Sequence, residues 1–187
     1  MRELGWDVQG LEPDAKAAQV ARSHGISVIV GVLQPSLFQE ASFDAITLHH
    51  VIEHLHNPVE ILELCLRLLR PGGTISIITP NIAARGSKIY GQDWYPLQPP
   101  SHLVLFTTRS LIKAMKRAGY RNVTAHASFF GAASIFRDSE KLKSDRAGLI
   151  NSADSSKAGI FVRVSNLMTS LNPDVSEEAV VTARKAG

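Results

Sequence analysis

Two linked stretches, 43–58 and 68–81, constrain the fold of this 187-residue chain most strongly. The first, FDAITLHHVIEHLHNP, is an apolar run that turns abruptly polar, and the second is LLRPGGTISIITPN. Together they predict a buried strand, an elbow, a helix ended by glycines, and another buried strand. Asn57 and Glu60 have the spacing of a capping box at the start of that helix. Polar side chains at the carboxyl end of a buried strand are where open α/β sheets bind ligands.

The rest of the chain continues the alternation of strands and helices. Strands are expected at 8–13, 26–31, 122–128 and 177–185, the last of them at or near the sheet edge, and helices at 14–25 and 108–118. Residues 137–158 suggest a loop or a poorly packed helix, and 159–171 a helix or a strand, because periodicity does not decide short apolar runs. This order predicts one domain with a mostly parallel sheet and helices on both faces.

Composition and charge exclude several classes of protein. With 44% hydrophobic and 20% charged residues, the chain is not of the disordered class. The cluster Lys113, Lys116, Arg117 and Arg121 contains no interleaved aromatic residues, so we expect a solvated helix face and no nucleic-acid partner. No apolar run is long enough to span a membrane. The single cysteine, Cys65, indicates a reducing compartment, and we expect the cytoplasm.

The elbow holds several residue types that bind metals. They are His49, His50, Glu53, His54 and His56. These residues straddle a change from strand to helix, so their side chains need not converge, and we expect no metal site. Glu53 and His54 could instead satisfy backbone groups near the next helix. Upstream, Glu12 ends a strand and precedes a helix, where a carboxylate either binds two ribose hydroxyls or simply faces solvent.

The runs GLEPD, FDAITLHHVIEHLHNP and LLRPGGTISIITPN resemble class I S-adenosylmethionine-dependent methyltransferases, especially types 11, 12 and 23 near the ubiquinone-biosynthesis O-methyltransferases. The resemblance covers roughly residues 1–127 and the final EEAVVTARK run. It implies a Rossmann-like sheet with an antiparallel last strand and S-adenosylmethionine as cofactor. Residues 91–111 are similar to a family stretch that covers the active site. A lid or acceptor loop at 81–107 and a helical insert at 128–175 are therefore expected.

On the cofactor side, the resemblance implies that Glu12 holds the ribose hydroxyls and that Val32 and Leu33 lie near the adenine. Gln34 is the nearest polar candidate for the adenine amino group. His49 would lie beside the methionine part of the cofactor.

On the acceptor side, the resemblance implies that Trp94 and Tyr95 face the acceptor or the cationic sulfur, although packing within the lid is an equal alternative. His102 is the first candidate for a general base and His50 the second, because histidine titrates in the useful range. The acceptor itself is expected to be a small molecule.

The family's first strand and its glycine-rich loop precede the acid that Glu12 matches, and neither is found in 1–187. The loss of that central strand would leave two sheet edges with unpaired backbone groups. A piece of a longer protein, a truncated gene product, or completion by another chain would each explain this. We favour the first, and therefore expect either a missing N-terminal segment or a homo-oligomer.

These features favour methyl transfer from S-adenosylmethionine to a small-molecule acceptor. An inactive fragment or pseudoenzyme that retains a binding surface is the first alternative. A nicotinamide-dependent oxidoreductase is the second, but it predicts a Y-x-x-x-K pair that the sequence does not contain.

Overall fold

A computed structural model describes residues 2–148 and 155–187, and its contacts divide the chain into two compact units, Met1–Gln39 and Glu40–Gly187. The strands are β1 (Gln9–Glu12), β2 (Ser27–Val30), β3 (Phe43–His49), β4 (Leu69–Pro80), β5 (Asn122–His126) and β6 (Glu178–Arg184). The helices are α1 (Ala15–Ser23), α2 (Pro58–Leu68), α3 (Arg85–Tyr90), α4 (Thr108–Arg117), α5 (Ala132–Arg146) and α6 (Ser155–Leu171). No described helix is long and apolar enough to cross a membrane.

The first unit is a parallel β1–α1–β2 arrangement. Glu12 and Val30 are register partners, so the carboxyl ends of β1 and β2 lie at the same edge. Asp14 caps α1, since its Oδ1 accepts from the backbone N–H groups of Lys16 and Ala17 at 2.7 and 2.9 Å. Gly25 follows the helix at φ +77°, a conformation that favours glycine. The helix predicted at 14–25 is therefore confirmed.

The second unit contains a four-stranded sheet in the order β3-β4-β6-β5. Strand β4 is parallel to β3, whereas β6 is antiparallel to both β4 and β5. The antiparallel last strand is therefore confirmed, and it lies one place in from the edge strand β5. This insertion carries the amino end of β6 to the same edge of the sheet as the carboxyl ends of β3 and β4.

The join between α2 and β4 differs from the prediction. Helix α2 ends at Leu68, and the register jumps from Phe43–Leu69 to Ala45–Thr74, so residues 70–73 bulge out of the pairing. A Cβ on Gly73 would lie 2.9 Å from the carbonyl oxygen of Arg70, and the bulge therefore requires glycine there. The prediction that these glycines end the helix is therefore wrong, because α2 ends at Leu68 and Gly72 and Gly73 lie in the bulge at the start of β4.

The helix starts also differ in detail from the capping predictions. Asn57 makes no side-chain cap to the backbone of α2, and its Nδ2 donates instead to Glu60 Oε2 at 3.2 Å. Helix α4, predicted to begin at 108, begins with a capping box between Thr107 and Ser110. Both helices lie where the sequence predicts them.

The core of the second unit lies between the sheet and helices α2 and α4. Ile75 and Ile77 of β4 are fully buried, and they alternate with partly exposed neighbours as a strand requires. Leu62 and Leu111 contribute fully buried side chains from the two helices. Burial of each such side chain stabilises the fold by about 1.5–3 kcal/mol. This packing holds in place the sheet that carries the candidate site.

The region without clear periodicity, 81–107, is ordered by packing against α5. It contains α3 and two short 3-10 turns, and Tyr90 meets Phe136 edge to face with ring centroids 5.7 Å apart. The ambiguous segments are helical where they are described, as α5 and α6, while residues 149–154 lie outside the described part. The buried cluster that joins the 81–107 segment to α5 comprises Ala84, Tyr90, Trp94, Ile135 and Phe136.

Candidate functional site

The elbow after β3 is a sharp turn that presents polar groups at the edge of the sheet. His50 adopts φ +51°, in the left-handed region that non-glycine residues rarely enter, and its N–H donates to Ile78 O at 2.9 Å. A 3-10 turn, Ile52–His54, follows and buries the side chain of Glu53. His49, the last residue of β3, is exposed, and its ring lies 4.8 Å from that of His50. The strained turn thus presents two imidazoles beside one buried carboxylate.

His50 is held between two carboxylates. Its Nδ1 lies 3.1 Å from Glu53 Oε1 and its Nε2 lies 3.2 Å from Glu178 Oε1. Hydrogen bonding to Glu178 and then to Glu53 raises the pKa of His50 from 6.5 to about 9. Both ring nitrogens therefore donate near neutral pH, and His50 has no lone pair with which to accept a proton. This geometry does not fit the prediction of His50 as second candidate for the general base.

The two carboxylates that hold His50 are themselves held by hydroxyl groups. Thr79 Oγ1 donates to Glu53 Oε2 at 2.9 Å, and Ser128 Oγ donates to Glu178 Oε2 at 3.0 Å. Burial works to raise the pKa of Glu53, but the hydrogen bonds from His50, the backbone and Thr79 hold it below its usual value. The result is a connected polar network that joins the elbow to β4, to β6 and to Ser128 after β5.

His54 and His102 meet beside the elbow, although they come from distant parts of the chain. Their ring centroids are 4.7 Å apart in an edge-on arrangement. His54 Nδ1 lies 2.9 Å from Ser101 O, and His102 Nδ1 lies 2.7 Å from Pro96 O. The backbone carbonyl of Glu53 also accepts from the N–H groups of residues 103 and 104. The end of the 81–107 segment is thereby fastened to the elbow.

Trp94 and Tyr95, the predicted acceptor residues, have different surroundings. Trp94 is 1% exposed and its Nε1 donates to Glu177 Oε2 at 3.3 Å, a placement that favours packing within the 81–107 segment over contact with an acceptor. Tyr95 is 42% exposed, and its backbone N–H donates to Ser139 Oγ at 2.9 Å. Of the two aromatic side chains, the one open to a ligand is that of Tyr95.

Glu177 fastens the 81–107 segment to the start of β6. Its Oε1 accepts from the N–H of Gly86 at 2.8 Å, and its Oε2 accepts from Trp94. The side chain is almost fully buried, and burial raises the pKa of this carboxyl above its usual value. Glu177 therefore binds the 81–107 segment, whereas its neighbour Glu178 binds His50 of the elbow.

The cofactor candidates of the first unit lie at the carboxyl edge of its two strands. Glu12 is partly buried, and its Oε1 accepts from the N–H of Asp14 at 2.9 Å. Val32 is 60% exposed and Leu33 is partly exposed, both just after β2, and Gln34 is exposed. The N–H of Gly31 donates to Glu12 O at 3.0 Å, so this loop and the acid are neighbours.

Sequence reasoning missed the acids at the start of β6. Glu178 is 128 positions from His50, and no local pattern joins them. A signal was nevertheless present, because two adjacent carboxylates open a strand that is otherwise buried, and buried acids need partners. Thr79 was overlooked for the same reason, since its partner lies on the elbow rather than on its own strand.

Comparison with known proteins identifies the relatives of this arrangement. A family model for a methyltransferase domain, type 23, matches residues 1–125. The ubiquinone biosynthesis O-methyltransferase of Xanthomonas oryzae pv. oryzae is 34% identical over 88 residues, covering 43% of this chain and 37% of that protein. The enzyme of the same name from Pectobacterium carotovorum is 32% identical over 92 residues, covering 46% and 38%. The chain thus matches little more than a third of the length of these curated relatives.

Solved structures share the fold at low sequence identity. A SAM-dependent methyltransferase from Archaeoglobus fulgidus aligns with a TM-score of 0.64 and 17% identity, covering 98% of this chain and 78% of that one. A possible histamine N-methyltransferase from Thermotoga maritima gives 0.61 and 16%, covering 95% and 72%. The Haemonchus contortus phosphoethanolamine N-methyltransferase 2, solved with S-adenosyl-L-methionine, gives 0.58 and 14%, covering 100% and 45%. These alignments confirm the predicted Rossmann-like α/β fold, and the comparisons give no support to the oxidoreductase alternative.

Proposed function

The chain belongs to the S-adenosylmethionine-dependent methyltransferase family whose domain model matches residues 1–125, and we propose that it transfers a methyl group from that cofactor to a small-molecule acceptor. The family match is the observation that carries the proposal. When bound, S-adenosylmethionine supplies an electrophilic sulfonium methyl group that a nucleophile displaces in line. The protein must then bind the cofactor and the acceptor, align them, and exclude water.

In the first unit, Glu12 is the residue proposed to accept hydrogen bonds from the ribose hydroxyls. A carboxylate is an acceptor only and can bind two hydroxyl groups at once. The N–H of Asp14 already fixes Oε1 of Glu12, so the carboxylate is oriented before any ligand arrives. Val32 and Leu33 offer apolar surface for the adenine in the loop that the N–H of Gly31 ties to Glu12.

In the second unit, His49 is proposed to lie beside the methionine part of the cofactor, since it is exposed at the carboxyl end of β3. The charged His50, fixed between Glu53 and Glu178, keeps the elbow in its strained turn and so holds His49 in place. Its proposed role is positioning rather than proton transfer.

The acceptor is proposed to bind against the 81–107 segment, with Tyr95 as the exposed aromatic face. His102 remains the candidate for accepting the acceptor's proton. A carbonyl oxygen can only accept, so the 2.7 Å contact with Pro96 O places the proton of a neutral His102 on Nδ1. Nε2 then carries the lone pair that a hydroxyl acceptor would need.

The buried thiol of Cys65 agrees with the proposed cytoplasmic location.

Isothermal titration of S-adenosylmethionine tests the cofactor assignment. Both the 187-residue chain and a version extended upstream by its own coding sequence should be titrated. Glu12→Ala should weaken binding by about 1–3 kcal/mol, as the loss of a charge-assisted hydrogen bond does. Glu3→Ala, which removes an exposed acid of the same unit, should leave affinity unchanged.

Three results distinguish the hypotheses. If neither form binds S-adenosylmethionine, the proposed function is wrong. Binding that Glu12→Ala does not weaken would refute the ribose assignment alone. Binding without transfer to any of a panel of hydroxyl, amine and carbon acceptors would favour the pseudoenzyme that retains a binding surface.

A further inference from the structure

Strand β5 is an outer strand of the four-stranded sheet, and its outer edge presents backbone groups for pairing. In an antiparallel ladder, alternate residues direct their N–H and C=O groups away from the neighbouring strand. Among residues 2–148 and 155–187, no backbone hydrogen bond joins Asn122–His126 to any element other than β6. A further strand could therefore use the donors and acceptors along this edge.

The edge of β5 lacks most of the devices that prevent strands from pairing. Proteins usually protect an outer strand with proline, charged side chains or a bulge. Residues 122–130 contain no proline, lysine, arginine, aspartate or glutamate. The register with β6 runs without a break from Asn122–Arg184 to His126–Val180, so β5 has no bulge. Its short length of five residues is what limits pairing along this edge.

The two ends of β5 carry side chains of complementary type. Arg121 precedes the strand, is exposed, and forms none of the ion pairs found among the described residues. Phe129 and Phe130 follow the strand and are 50% and 85% exposed. A cation binds favourably over the face of an aromatic ring. An antiparallel partner with the same sequence would therefore bring each end of β5 against the end that it complements.

The strand matches a second copy of itself in full overlap. The facing pairs are then Asn122 with His126, Val123 with Ala125, and Thr124 with its own counterpart. No pair opposes two like charges, and facing threonines are a favourable cross-strand pair. Arg121 would face Ala127, so Phe129, two residues further on, becomes its diagonal neighbour on the same face. Diagonal neighbours lie within reach of long and aromatic side chains.

We infer that the outer edge of β5 binds the same edge of a second copy of this chain, antiparallel and centred on Thr124. This pairing joins the two four-stranded sheets into one, and the two-fold axis makes every contact twice. A strand from an unrelated protein would use the same backbone groups without gaining both cation–aromatic contacts. An interface built on five residues is small, below about 1,200 Å², so the dimer is expected to be reversible.

The interface adjoins the candidate site without using its residues. Ser128 lies between β5 and Phe129, and its Oγ donates to Glu178 Oε2 at 3.0 Å. Pairing along β5 would therefore restrain the loop that carries this hydrogen bond. The pairing residues are distinct from those proposed to bind cofactor or acceptor, so this inference does not rest on the proposed function.

Sedimentation velocity of the chain without cofactor, over a wide range of protein concentration, tests self-association. The unaltered chain should pass from monomer to dimer as its concentration rises. Arg121→Glu should weaken the dimer roughly tenfold, because it removes a cation–aromatic contact that occurs twice. Lys113→Glu makes the same change of charge at an exposed position of α4 and should leave the dimer unchanged.

Disulfide trapping tests the register of the pairing. The native Cys65 is buried, so an introduced cysteine is the reactive one. Thr124→Cys should form a covalent dimer on mild oxidation, because facing residues of an antiparallel pair are close enough for a disulfide. Asn122→Cys alone should not do so, whereas a mixture of Asn122→Cys and His126→Cys should give the mixed dimer.

Each outcome bears on the inference. A chain that stays monomeric at every concentration would overturn it, and so would equal trapping of the three cysteine variants or a dimer that Arg121→Glu leaves unchanged. Circular dichroism verifies the folding of each variant, and if Thr124→Cys unfolds, the comparison of Arg121→Glu with Lys113→Glu decides the matter. A dimer that fails to bind S-adenosylmethionine would refute the proposed function and leave this inference standing.

Discussion

Replacement of Trp94 distinguishes packing in the 81–107 segment from contact with an acceptor. Trp94 is 1% exposed in the cluster with Tyr90 and Phe136, and its Nε1 donates to the buried Glu177. Trp94→Ala should therefore destabilise the fold strongly. Trp94→Phe keeps most of the buried ring and removes the donor, so it isolates the hydrogen bond from the packing.

The expected magnitudes follow from this environment. Truncating a buried aromatic side chain to alanine costs about 3–5 kcal/mol. Leaving Glu177 short of one donor costs about 1–3 kcal/mol, which is the change expected for Trp94→Phe. Domains of this kind are stable by about 5–15 kcal/mol, so the alanine variant loses a large part of the total.

Guanidinium denaturation followed by far-ultraviolet circular dichroism measures these changes without relying on tryptophan fluorescence. Tyr95→Ala is the matched control, because this neighbouring side chain is 42% exposed and its truncation should cost less than about 1 kcal/mol. If Trp94→Ala unfolds within about 1 kcal/mol of the unaltered chain, the packing interpretation is refuted. An acceptor contact would then be the better explanation.

Three further changes probe neighbouring features. Gly86→Ala would place a Cβ 2.5 Å from Glu177 Oε2, and this overpacking should cost about 1–3 kcal/mol in the same denaturation assay. Because burial raises the pKa of Glu177, the folded chain holds that proton more tightly than the unfolded chain. The resulting stability is complete below the ordinary pKa of 4.5 and is lost as the pH rises through the raised value. Urea denaturation from pH 4 to pH 8 should therefore show the unaltered chain losing stability relative to Glu177→Gln, and a constant difference would contradict the raised pKa. Thr107→Ala removes the cap of α4 and should lower stability by about 1 kcal/mol by thermal denaturation, while Arg109→Ala, beyond the cap, should change it little.

Much of the fold could be predicted because local patterns determine it. The apolar runs of β2, β3 and β4 are long enough to identify strands, and Asp14 identifies the start of α1. The prediction that β2 and β3 are buried is wrong, since only Val28 of β2 and Leu48 of β3 are buried. The extent of α5 could not be predicted, because its buried face includes Ser139 and Ser144. Ser139 is buried since its hydroxyl accepts from the backbone N–H of Tyr95, a tertiary contact that no helical pattern reveals.

The site was predictable only in part, for a similar reason. The strand-end position of His49 and the family resemblance both pointed to the elbow. The charge on His50 could not be predicted, since it depends on Glu178, which reaches the elbow through the antiparallel insertion of β6. His102 was a candidate by resemblance, but its proximity to His54 depends on how the 81–107 segment folds back on the elbow.

The position of β6 between β4 and β5 has a consequence for how the protein is made. The ribosome completes the elbow and the 81–107 segment long before it reaches residues 177 and 178. Until then β5 has no neighbour in the sheet, Trp94 has no acceptor for its N–H, and His50 has only one of its two carboxylates. A nascent chain stalled before residues 177 and 178, or a mature chain cleaved there, would keep β3 paired with β4. It would lose both the Trp94–Glu177 and the His50–Glu178 hydrogen bonds. Assembly of the site therefore depends on the arrival of this one strand.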